Sequence, residues 1–333
     1  MKAALIHSYG TPDVFQIEDI PRPTPGPREI LVAVHAASIN PIDYKIRQGG
    51  QRALIHYSFP RILGLDVSGV VEAIGEKVTR FQVGDAIYSS PPHTRQGTYA
   101  EYTVLHENEA AHKPAGLTHE EAASIPLVGL TVWESFVCKG QLKKGDRILI
   151  QAGSGGVGTF AIQLAKQLGA HVITTCSERN FELVRSLGAD EVINYREQDF
   201  ATVCQDLDFV LDSIGGETVK KSYDILKKGG HLSVLNSGLP GYTERYGWFG
   251  GLLAVVWNLL GMKMRALSTG VQHSMILRQP KGDLLAQLTP YLEEKTIRPV
   301  IDRTFALDDI AEAHRYSESG RARGKIVISV RPS

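Results

Sequence analysis

Cysteine is scarce in this chain, and its few cysteines are far apart. Cys138, Cys176 and Cys204 are odd in number and form no CxxC pair. A disulfide framework and a cysteine-rich zinc site are therefore both excluded. We expect a reducing compartment, the cytoplasm. The first residues agree, because Gly10 follows too soon for a signal-peptide apolar region to form.

An excess of charge of either sign is also missing. Thirty-six Lys and Arg residues balance thirty-six Asp and Glu residues. The chain as a whole offers no general attraction to nucleic acid or to an anionic bilayer, so any bound anion must be held by a local site. The length of 333 residues, with 43% hydrophobic and 22% charged residues, is typical of a globular protein of about two domains.

No apolar run is long enough to cross a membrane. The one candidate, residues 248–262, has fifteen residues where a span needs about twenty. Three interpretations stay open for this segment. In the first interpretation the segment is a helix packed in the core or at a subunit interface. In the second it is a lid over a lipophilic acceptor. In the third interpretation it makes a peripheral membrane contact, at which Lys263 and Arg265 meet the lipid surface.

The chain has two parts that differ in pattern. Short β-branched runs separated by Gly and Pro predict a β-rich domain in the first third. From about residue 147, apolar runs alternate with amphipathic stretches, which predicts a parallel sheet covered on both faces. The predicted strands are 29–36, 67–74, 85–88 and 98–104 in the first part, and 147–152, 171–176, 191–194, 207–211, 231–235 and 266–271 in the second.

The last part of the chain returns to strand character. Strands are predicted at 300–305 and 325–330, after helices at 157–168 and 282–294. We therefore predict that the α/β domain is an insertion in the β-rich domain. The predicted bounds are 1–125 with 297–333 for the β-rich domain and 126–296 for the α/β domain.

A glycine-rich turn joins the first α/β strand to the first α/β helix. Gly153, Gly155 and Gly158 form the pattern GxGxxG. In this context the first glycine permits a tight turn, the second lets the backbone approach a pyrophosphate, and the third allows close packing of helix on strand. Helix-terminal amides then face the phosphates. The pattern predicts a dinucleotide site formed by Gly153, Ser154, Gly155, Gly156, Val157 and Gly158.

The end of the next strand indicates which dinucleotide is bound. An acidic residue there would accept the ribose hydroxyl of NAD, but the chain has Thr175, Cys176 and Ser177. Ser177 and Arg179 offer donors for a 2′-phosphate. The acidic residue Glu178 directly follows Ser177, which weakens the argument against NAD. Arg179 taken alone is equally typical of the solvent-exposed start of a helix. On balance the pattern favours NADP(H).

Eight short motifs follow one another along the chain. They are ASINPIDYK at 37–45, LGLDVSG at 63–69, VGD at 83–85, GTYAEY at 97–102, GLT at 129–131, AGSGGVG at 152–158, LGADEVINY at 187–195 and GRARGK at 320–325. In their order and spacing, the chain resembles the zinc-free quinone oxidoreductase group of the medium-chain dehydrogenase/reductase superfamily over essentially its full length.

The resemblance implies an architecture and a set of cofactor contacts. The fold is a Rossmann-type doubly wound parallel sheet inserted in a GroES-like, distorted-barrel catalytic domain. NADP(H) lies in the cleft, and the assembly is a homodimer. Besides the glycine turn, the implied cofactor residues are Thr131 near the nicotinamide, Ser177, Arg179 and Tyr195 around the adenosine phosphate, Ser213, Asn236 and Ser237 along the nicotinamide half, and Lys325.

Zinc ligands are missing from the segments that match the zinc-dependent members of the superfamily. Those alcohol dehydrogenases use Cys and His, whereas residues 40–43 and 65–66 contain neither. The histidines, such as His35 and His93, have no ligand-like spacing. We therefore predict no metal. Hydride transfer then suits an acceptor that spreads negative charge, namely a quinone or an α,β-unsaturated carbonyl.

Asn40, Tyr44 and Lys45 are the candidate catalytic residues, since the resemblance places their loop beside the cleft. Their donors would orient the acceptor and stabilise its oxyanion. Simple structural explanations also exist, a turn before Pro41 for Asn40 and a solvated charge for Lys45. The predicted function is a zinc-independent, NADPH-dependent quinone or enone oxidoreductase without a nucleic-acid partner. An enoyl-thioester reductase and a non-catalytic NADPH-binding redox sensor remain as alternatives.

Overall fold

The computed structural model describes residues 1–50, 52, 55–236, 239–276 and 278–331. The chain forms two compact units, Met1–Leu130 with Gln279–Ser333 and Thr131–Arg278. The chain leaves the first unit once and returns to it, so the second unit is an insertion in the first.

The regular elements are numbered in chain order. The strands are β1 (Lys2–Ile6), β2 (Phe15–Asp19), β3 (Glu29–Ile39), β4 (Arg61–Ile62), β5 (Val67–Ile74), β6 (Ala86–Ser89), β7 (Tyr102–His106), β8 (Ala110–His112), β9 (Arg147–Ile150), β10 (His171–Cys176), β11 (Glu191–Asn194), β12 (Leu207–Asp212), β13 (Leu226–Val234), β14 (Gln272–Met275), β15 (Ile301–Ala306) and β16 (Lys325–Ser329). The helices are α1 (Pro41–Arg47), α2 (His119–Ala123), α3 (Pro126–Trp133), α4 (Gly156–Gln167), α5 (Phe181–Ser186), α6 (Phe200–Val203), α7 (Glu217–Ile225), α8 (Leu239–Thr269), α9 (Gly282–Ala286), α10 (Thr289–Glu293) and α11 (Ile310–Glu318).

The second unit is built on a six-stranded parallel sheet of order β11-β10-β9-β12-β13-β14. From β9 the chain first moves outward through α4 to β10, and later in the other direction through β12 and α7 to β13. Right-handed crossovers in opposite directions place the helices on opposite faces. The predicted Rossmann-type doubly wound sheet is confirmed. Ligands bind such sheets at the carboxyl ends of the strands where the direction changes.

The strand predicted at residues 266–271 is wrong. α8 continues to Thr269, and the sixth strand, β14, begins only at Gln272. Ala266 and Val271 pack in the core of the second unit, and Gly270 between them adopts a φ of +69°. A glycine in this left-handed conformation is a common helix end. The apolar residues therefore complete a helix before the strand starts.

α8 is the longest helix and contains the apolar segment 248–262. It consists of two helical segments that meet at Gly247, whose φ is +69°. None of the helices in the described ranges is at once long and apolar enough to traverse a bilayer.

The first unit contains a seven-stranded sheet. β15, β16, β3, β5, β6 and β8 follow one another, and β7 also pairs with β3. All its pairings are antiparallel except that of β15 with β16. A smaller sheet has the order β2-β1-β4. β16 lies directly beside β3, so residues 325–329 complete a sheet whose first strand begins at residue 29.

The compact units differ from the predicted domain bounds chiefly at residues 279–296. This segment, with α9 and α10, lies in the first unit. The Tyr88 hydroxyl donates to the carbonyl of Leu285 at 2.8 Å. Gly282 is so close to β8 that a Cβ on it would lie 1.9 Å from the carbonyl oxygen of Ala110. The helical pattern of this segment reveals nothing of these contacts, which place it on the β-rich unit.

Candidate functional site

Two glycines of the turn between β9 and α4 have no room for a side chain. A Cβ on Gly153 would lie 2.0 Å from Thr174 Oγ1, and one on Gly158 would lie 2.4 Å from the carbonyl oxygen of Ala152. Real Cβ atoms never approach other atoms so closely. Gly153 thus lets the turn lie against β10, and Gly158 lets α4 pack on the turn.

Gly155, the middle glycine, differs from the other two. Its φ is −82°, and a Cβ on it would meet only the carbonyl oxygen of Ala152, at 3.4 Å. Neither packing nor backbone conformation therefore requires glycine at this position. A pyrophosphate that approaches the backbone does require it, and the first amides of α4, from Gly156 and Val157, lie beside it. The geometry of the turn therefore fits a dinucleotide.

One buried amide holds the hydroxyls of Ser154 and Ser177. Asn180 Nδ2 donates to Ser154 Oγ at 2.8 Å and to Ser177 Oγ at 3.3 Å. Because both oxygens accept from Asn180, each serine can donate its own hydrogen to an anion. Asn180 is not among the residues that the sequence predicts for the site. The sequence feature that could have indicated Asn180 is its place in the short turn Glu178–Asn180, which directly follows Ser177.

Tyr195, which the resemblance places at the adenosine phosphate, lies beside the end of β10. Cys176 pairs with Asn194 in the sheet, and the Tyr195 amide donates to the Cys176 carbonyl at 3.4 Å. The Tyr195 side chain is 58% exposed, and Arg179 is also exposed. The guanidinium of Arg196, which the sequence analysis missed, lies 5.9 Å from the Tyr195 ring centroid. This edge of the sheet thus carries hydroxyl and cationic groups suited to a phosphate.

Two of the residues predicted for the nicotinamide half, Ser213 and Asn236, follow the ends of β12 and β13. Ser213 Oγ donates to the Gln151 carbonyl at 3.3 Å, and Asn236 Nδ2 donates to the Ile214 carbonyl at 3.0 Å. Thr131 is buried in α3. Ser237 lies outside the described residues.

Gln151, at the end of β9, is a residue that the sequence analysis missed. Its side chain is buried and accepts a hydrogen bond from Thr175 Oγ1 at 2.8 Å. Its Nε2 has no hydrogen-bond partner among the residues that the structure describes. A buried amide without an acceptor is costly, and a bound ligand can remove that cost.

Asn40 is buried in the first unit, with protein partners at both ends of its amide. Its Nδ2 donates to Asp66 Oδ2 at 2.8 Å, and its Oδ1 accepts from Lys325 Nζ at 2.5 Å. Only 1% of its surface is exposed. Through these contacts Asn40 holds the loop at the start of α1 in place.

Asp66 is the centre of this buried network. Its Oδ2 accepts from Ser38 Oγ at 2.7 Å, from Asn40 and from Lys325 Nζ at 3.1 Å, while its Oδ1 accepts from the Leu127 amide at 2.7 Å. Lys325, predicted on the cofactor side, thus forms a buried ion pair with Asp66. Its cofactor role stays a prediction.

The residues at the positions implied for zinc ligands do not fit a zinc ion. The segments 40–43 and 65–66 offer the polar side chains of Asn40, Asp43 and Asp66, and both oxygens of Asp66 already accept hydrogen bonds. The Lys325 ammonium, 3.1 Å from Asp66, places a positive charge there that would repel a second cation. In the described ranges, no three His, Cys, Asp or Glu residues are grouped so that they would hold a metal.

Tyr44 and Lys45 lie on α1 and are half-buried. Burial, with a smaller effect of Glu318, raises the pKa of the Tyr44 phenol. Burial lowers the pKa of Lys45. A lysine with a lowered pKa releases its proton more readily, which suits a proton donor. The catalytic roles of both residues stay predictions.

Asp43, on the same helix, predicts a pH dependence of stability. Burial raises its pKa to about 7, from an ordinary value of 3.8. The folded state therefore retains a proton that the unfolded state loses. The resulting stability is complete below about pH 4 and is lost as the pH rises through about 7. We expect Asp43→Asn to remove this loss, which is at most about 4 kcal/mol.

Urea unfolding at several pH values between about 4 and 8 measures this effect. Asp19, which is exposed on β2, provides the control, and Asp19→Asn should leave the pH dependence unchanged. Equal slopes for the wild type and Asp43→Asn would contradict the assignment.

Comparison with known proteins identifies the family. Residues 26–115 match the family "Alcohol dehydrogenase GroES-like domain", and residues 187–328 match "Zinc-binding dehydrogenase". "NAD(P)H oxidoreductase RTN4IP1, mitochondrial" of Danio rerio is 38% identical over 99% of this chain and 91% of that protein. The solved quinone oxidoreductase of Coxiella burnetii shares 34% identity, with a TM-score of 0.86 and 99% coverage of both chains. The chain belongs to the quinone oxidoreductase group of the medium-chain dehydrogenase/reductase superfamily.

Membership of the quinone oxidoreductase group confirms the predicted family and the GroES-like assignment of the β-rich unit. It also confirms the prediction of an enzyme, an NAD(P)H-dependent oxidoreductase with NADP(H) as its cofactor. Another relative, "NADPH-dependent alkenal/one oxidoreductase, chloroplastic" of Arabidopsis thaliana, is 32% identical over 98% of this chain and 79% of that protein.

Proposed function

We propose that this member of the quinone oxidoreductase group uses NADPH to reduce a quinone or an α,β-unsaturated ketone or aldehyde, without a zinc ion. The buried Asp66–Lys325 pair is the observation that carries the proposal, because it puts an ammonium where a catalytic zinc would be held. Without a metal Lewis acid, oxidation of a simple alcohol lacks a means of forming the alkoxide. A conjugated acceptor spreads the incoming negative charge over its own π system.

The residues of the chain divide into cofactor-binding, acceptor-binding and positioning groups. The glycine turn with Ser154, Ser177, Arg179 and Tyr195 binds the phosphates of NADPH, which supplies a hydride from its nicotinamide when bound. Tyr44 and Lys45 orient the carbonyl oxygen of the acceptor and deliver a proton to it.

Asn40 is a positioning residue in this proposal. Its amide joins Asp66 to Lys325, and its backbone N–H donates to Asp43 Oδ2 at 2.8 Å. The first turn of α1, and with it Tyr44, is thereby tied to the buried ion pair.

A homodimer and a cytoplasmic location complete the proposal. Sedimentation tests the oligomeric state, and cell fractionation tests the location.

Oxidation of NADPH with a panel of acceptors tests the function. The panel contains a naphthoquinone, short and long alkenals, an enoyl thioester and, in the reverse direction, a primary alcohol with NADP⁺. We expect turnover with quinones or alkenals that a zinc chelator leaves unchanged. Zinc-dependent alcohol oxidation would refute the proposal. Preferred turnover of the thioester would favour an enoyl-thioester reductase, and tight NADPH binding without turnover would favour a redox sensor.

Cofactor preference gives a second test. The double variant Arg179→Ala/Tyr195→Phe is expected to bind NADPH about ten- to hundredfold more weakly, because charge-assisted hydrogen bonds contribute about 1.5–3 kcal/mol. Binding of NADH should change little, since it has no 2′-phosphate. Fluorescence titration with both cofactors measures the difference. Arg185→Ala, an exposed arginine on α5, is the control. Equal losses for NADPH and NADH would contradict the assigned contacts.

A further inference from the structure

One face of α8 carries a row of exposed apolar side chains. With 3.6 residues per turn, the row falls within an arc of about 100° on the helix surface. Met262, on the opposite face, is buried in the core of the second unit, and this fixes the outward direction of the row. The row consists of Leu253, Val256, Trp257, Leu260, Met264 and Leu267, which are between 45% and 76% exposed.

The charge of the surrounding sequence has one sign. Residues 248–269, the part of α8 that carries the row, contain Lys263 and Arg265 and no Asp or Glu. In the whole chain the two signs are equal in number. Lys263 is exposed and borders the row on the helix surface. Arg265, further round the helix, pairs with Asp224 at 2.8 Å.

We propose that this row docks the protein on the surface of a bilayer that contains anionic lipid. Apolar side chains of an interfacial helix enter the boundary between headgroups and acyl chains, while neighbouring Lys and Arg residues meet the lipid phosphates. Trp257, which is 72% exposed, belongs to the residue type most typical of this boundary. The row is about 20 Å long, so α8 lies along the surface with its buried face still in the core.

A cavity of about 360 Å³ opens beside the row and connects the docking face with the predicted nicotinamide side. Trp257 and Met262 of α8, Tyr223 of α7, and Asn236 and Met275 line it. For the proposed quinone or enone reductase, this cavity offers a mainly apolar space that a lipid-soluble acceptor can occupy from the membrane side. That part rests on the proposed function, whereas the docking itself does not.

Flotation of the full chain with vesicles tests the docking. We expect binding to vesicles of phosphatidylglycerol and phosphatidylcholine, and much weaker binding to phosphatidylcholine alone. The double variant Leu260→Glu/Leu267→Glu should reduce binding at least about tenfold, since it puts two carboxylates on the docking face. Leu259→Glu is the matched control, because Leu259 is 40% exposed on the same helix but lies about 100° from Leu260.

NADPH oxidation and sedimentation separate a loss of docking from a loss of activity and from a change of oligomeric state. NADPH oxidation with a water-soluble quinone or alkenal should be equal in all variants, so that failure of the proposed function and failure of docking give different results. The inference would be overturned if the wild-type protein bound neither kind of vesicle. It would also be overturned if Leu260→Glu/Leu267→Glu bound vesicles as well as the wild type does. If the wild type sediments as an oligomer and Leu260→Glu/Leu267→Glu sediments as a monomer, a second copy of the chain covers the row instead of a bilayer.

Discussion

A methyl group added at Gly155 is expected to weaken NADPH binding by about ten- to hundredfold while the protein stays folded. The Cβ of Gly155→Ala meets only the Ala152 carbonyl, at 3.4 Å, so the native turn accepts it. The methyl group takes the space through which a pyrophosphate reaches the backbone amides. Loss of such charge-assisted contacts costs about 1.5–3 kcal/mol. Helix capping changes by about 1 kcal/mol or less.

Two other glycines provide controls for Gly155→Ala. Gly116→Ala, whose Cβ meets nothing within 4 Å, should alter neither stability nor NADPH affinity. Gly158→Ala should unfold at lower temperature, because its Cβ would lie 2.4 Å from the Ala152 carbonyl oxygen. Calorimetric titration with NADPH and thermal unfolding separate the two effects. Unchanged affinity in Gly155→Ala would show that the pyrophosphate does not approach this glycine.

Replacement of Lys325 by Met is expected to destabilise the protein by about 3–5 kcal/mol, because it leaves a buried carboxylate without its counter-charge. Asp66 would retain three neutral donors, and Asn40 Oδ1 would lose the donor that now lies at 2.5 Å. Urea unfolding of Lys325→Met against the wild type measures the loss.

The double variant Asp66→Asn/Lys325→Met should recover much of this loss, because it removes both charges and completes a double-mutant cycle. Lys2→Met is the surface control. The pair of Lys2 with Asp308 is 44% and 60% exposed, so its loss should cost less than about 1 kcal/mol. If Lys325→Met cost no more than Lys2→Met, the buried pair would not hold the first unit together.

The features that the sequence predicts well are local. β10 and β11 have the predicted bounds, since each is a short run with β-branched residues at its centre between turn residues. The glycine turn could be assigned because the roles of Gly153, Gly155 and Gly158 depend on neighbouring residues. The start of the sixth strand cannot be predicted from the sequence, because apolar residues suit a helix end and a strand equally. Only the left-handed conformation of Gly270 separates the end of α8 from β14.

The features that the sequence does not predict depend on distant partners. Lys325 and Asp66 are 259 positions apart, so no local pattern reveals that they form a pair. The contact of Asn180 with Ser154, 26 positions earlier, likewise depends on the pairing of β9 with β10. For residues 282–294, periodicity predicts one helix, where the structure has the two short helices α9 and α10. The unit to which they belong depends on contacts with Tyr88 and Ala110.

The position of β16 has a consequence for synthesis of the chain on the ribosome. The second unit is continuous in sequence and can complete its sheet once β14 has emerged. The first unit must wait for residues 325–329, which fill the place beside β3 and bring Lys325 to Asp66. Until then β3 keeps an open edge and Asp66 has no counter-ion. A nascent chain thus carries a finished nucleotide-binding unit next to an unfinished partner, and any chain that stops before residue 325 exposes that edge to chaperones and proteases.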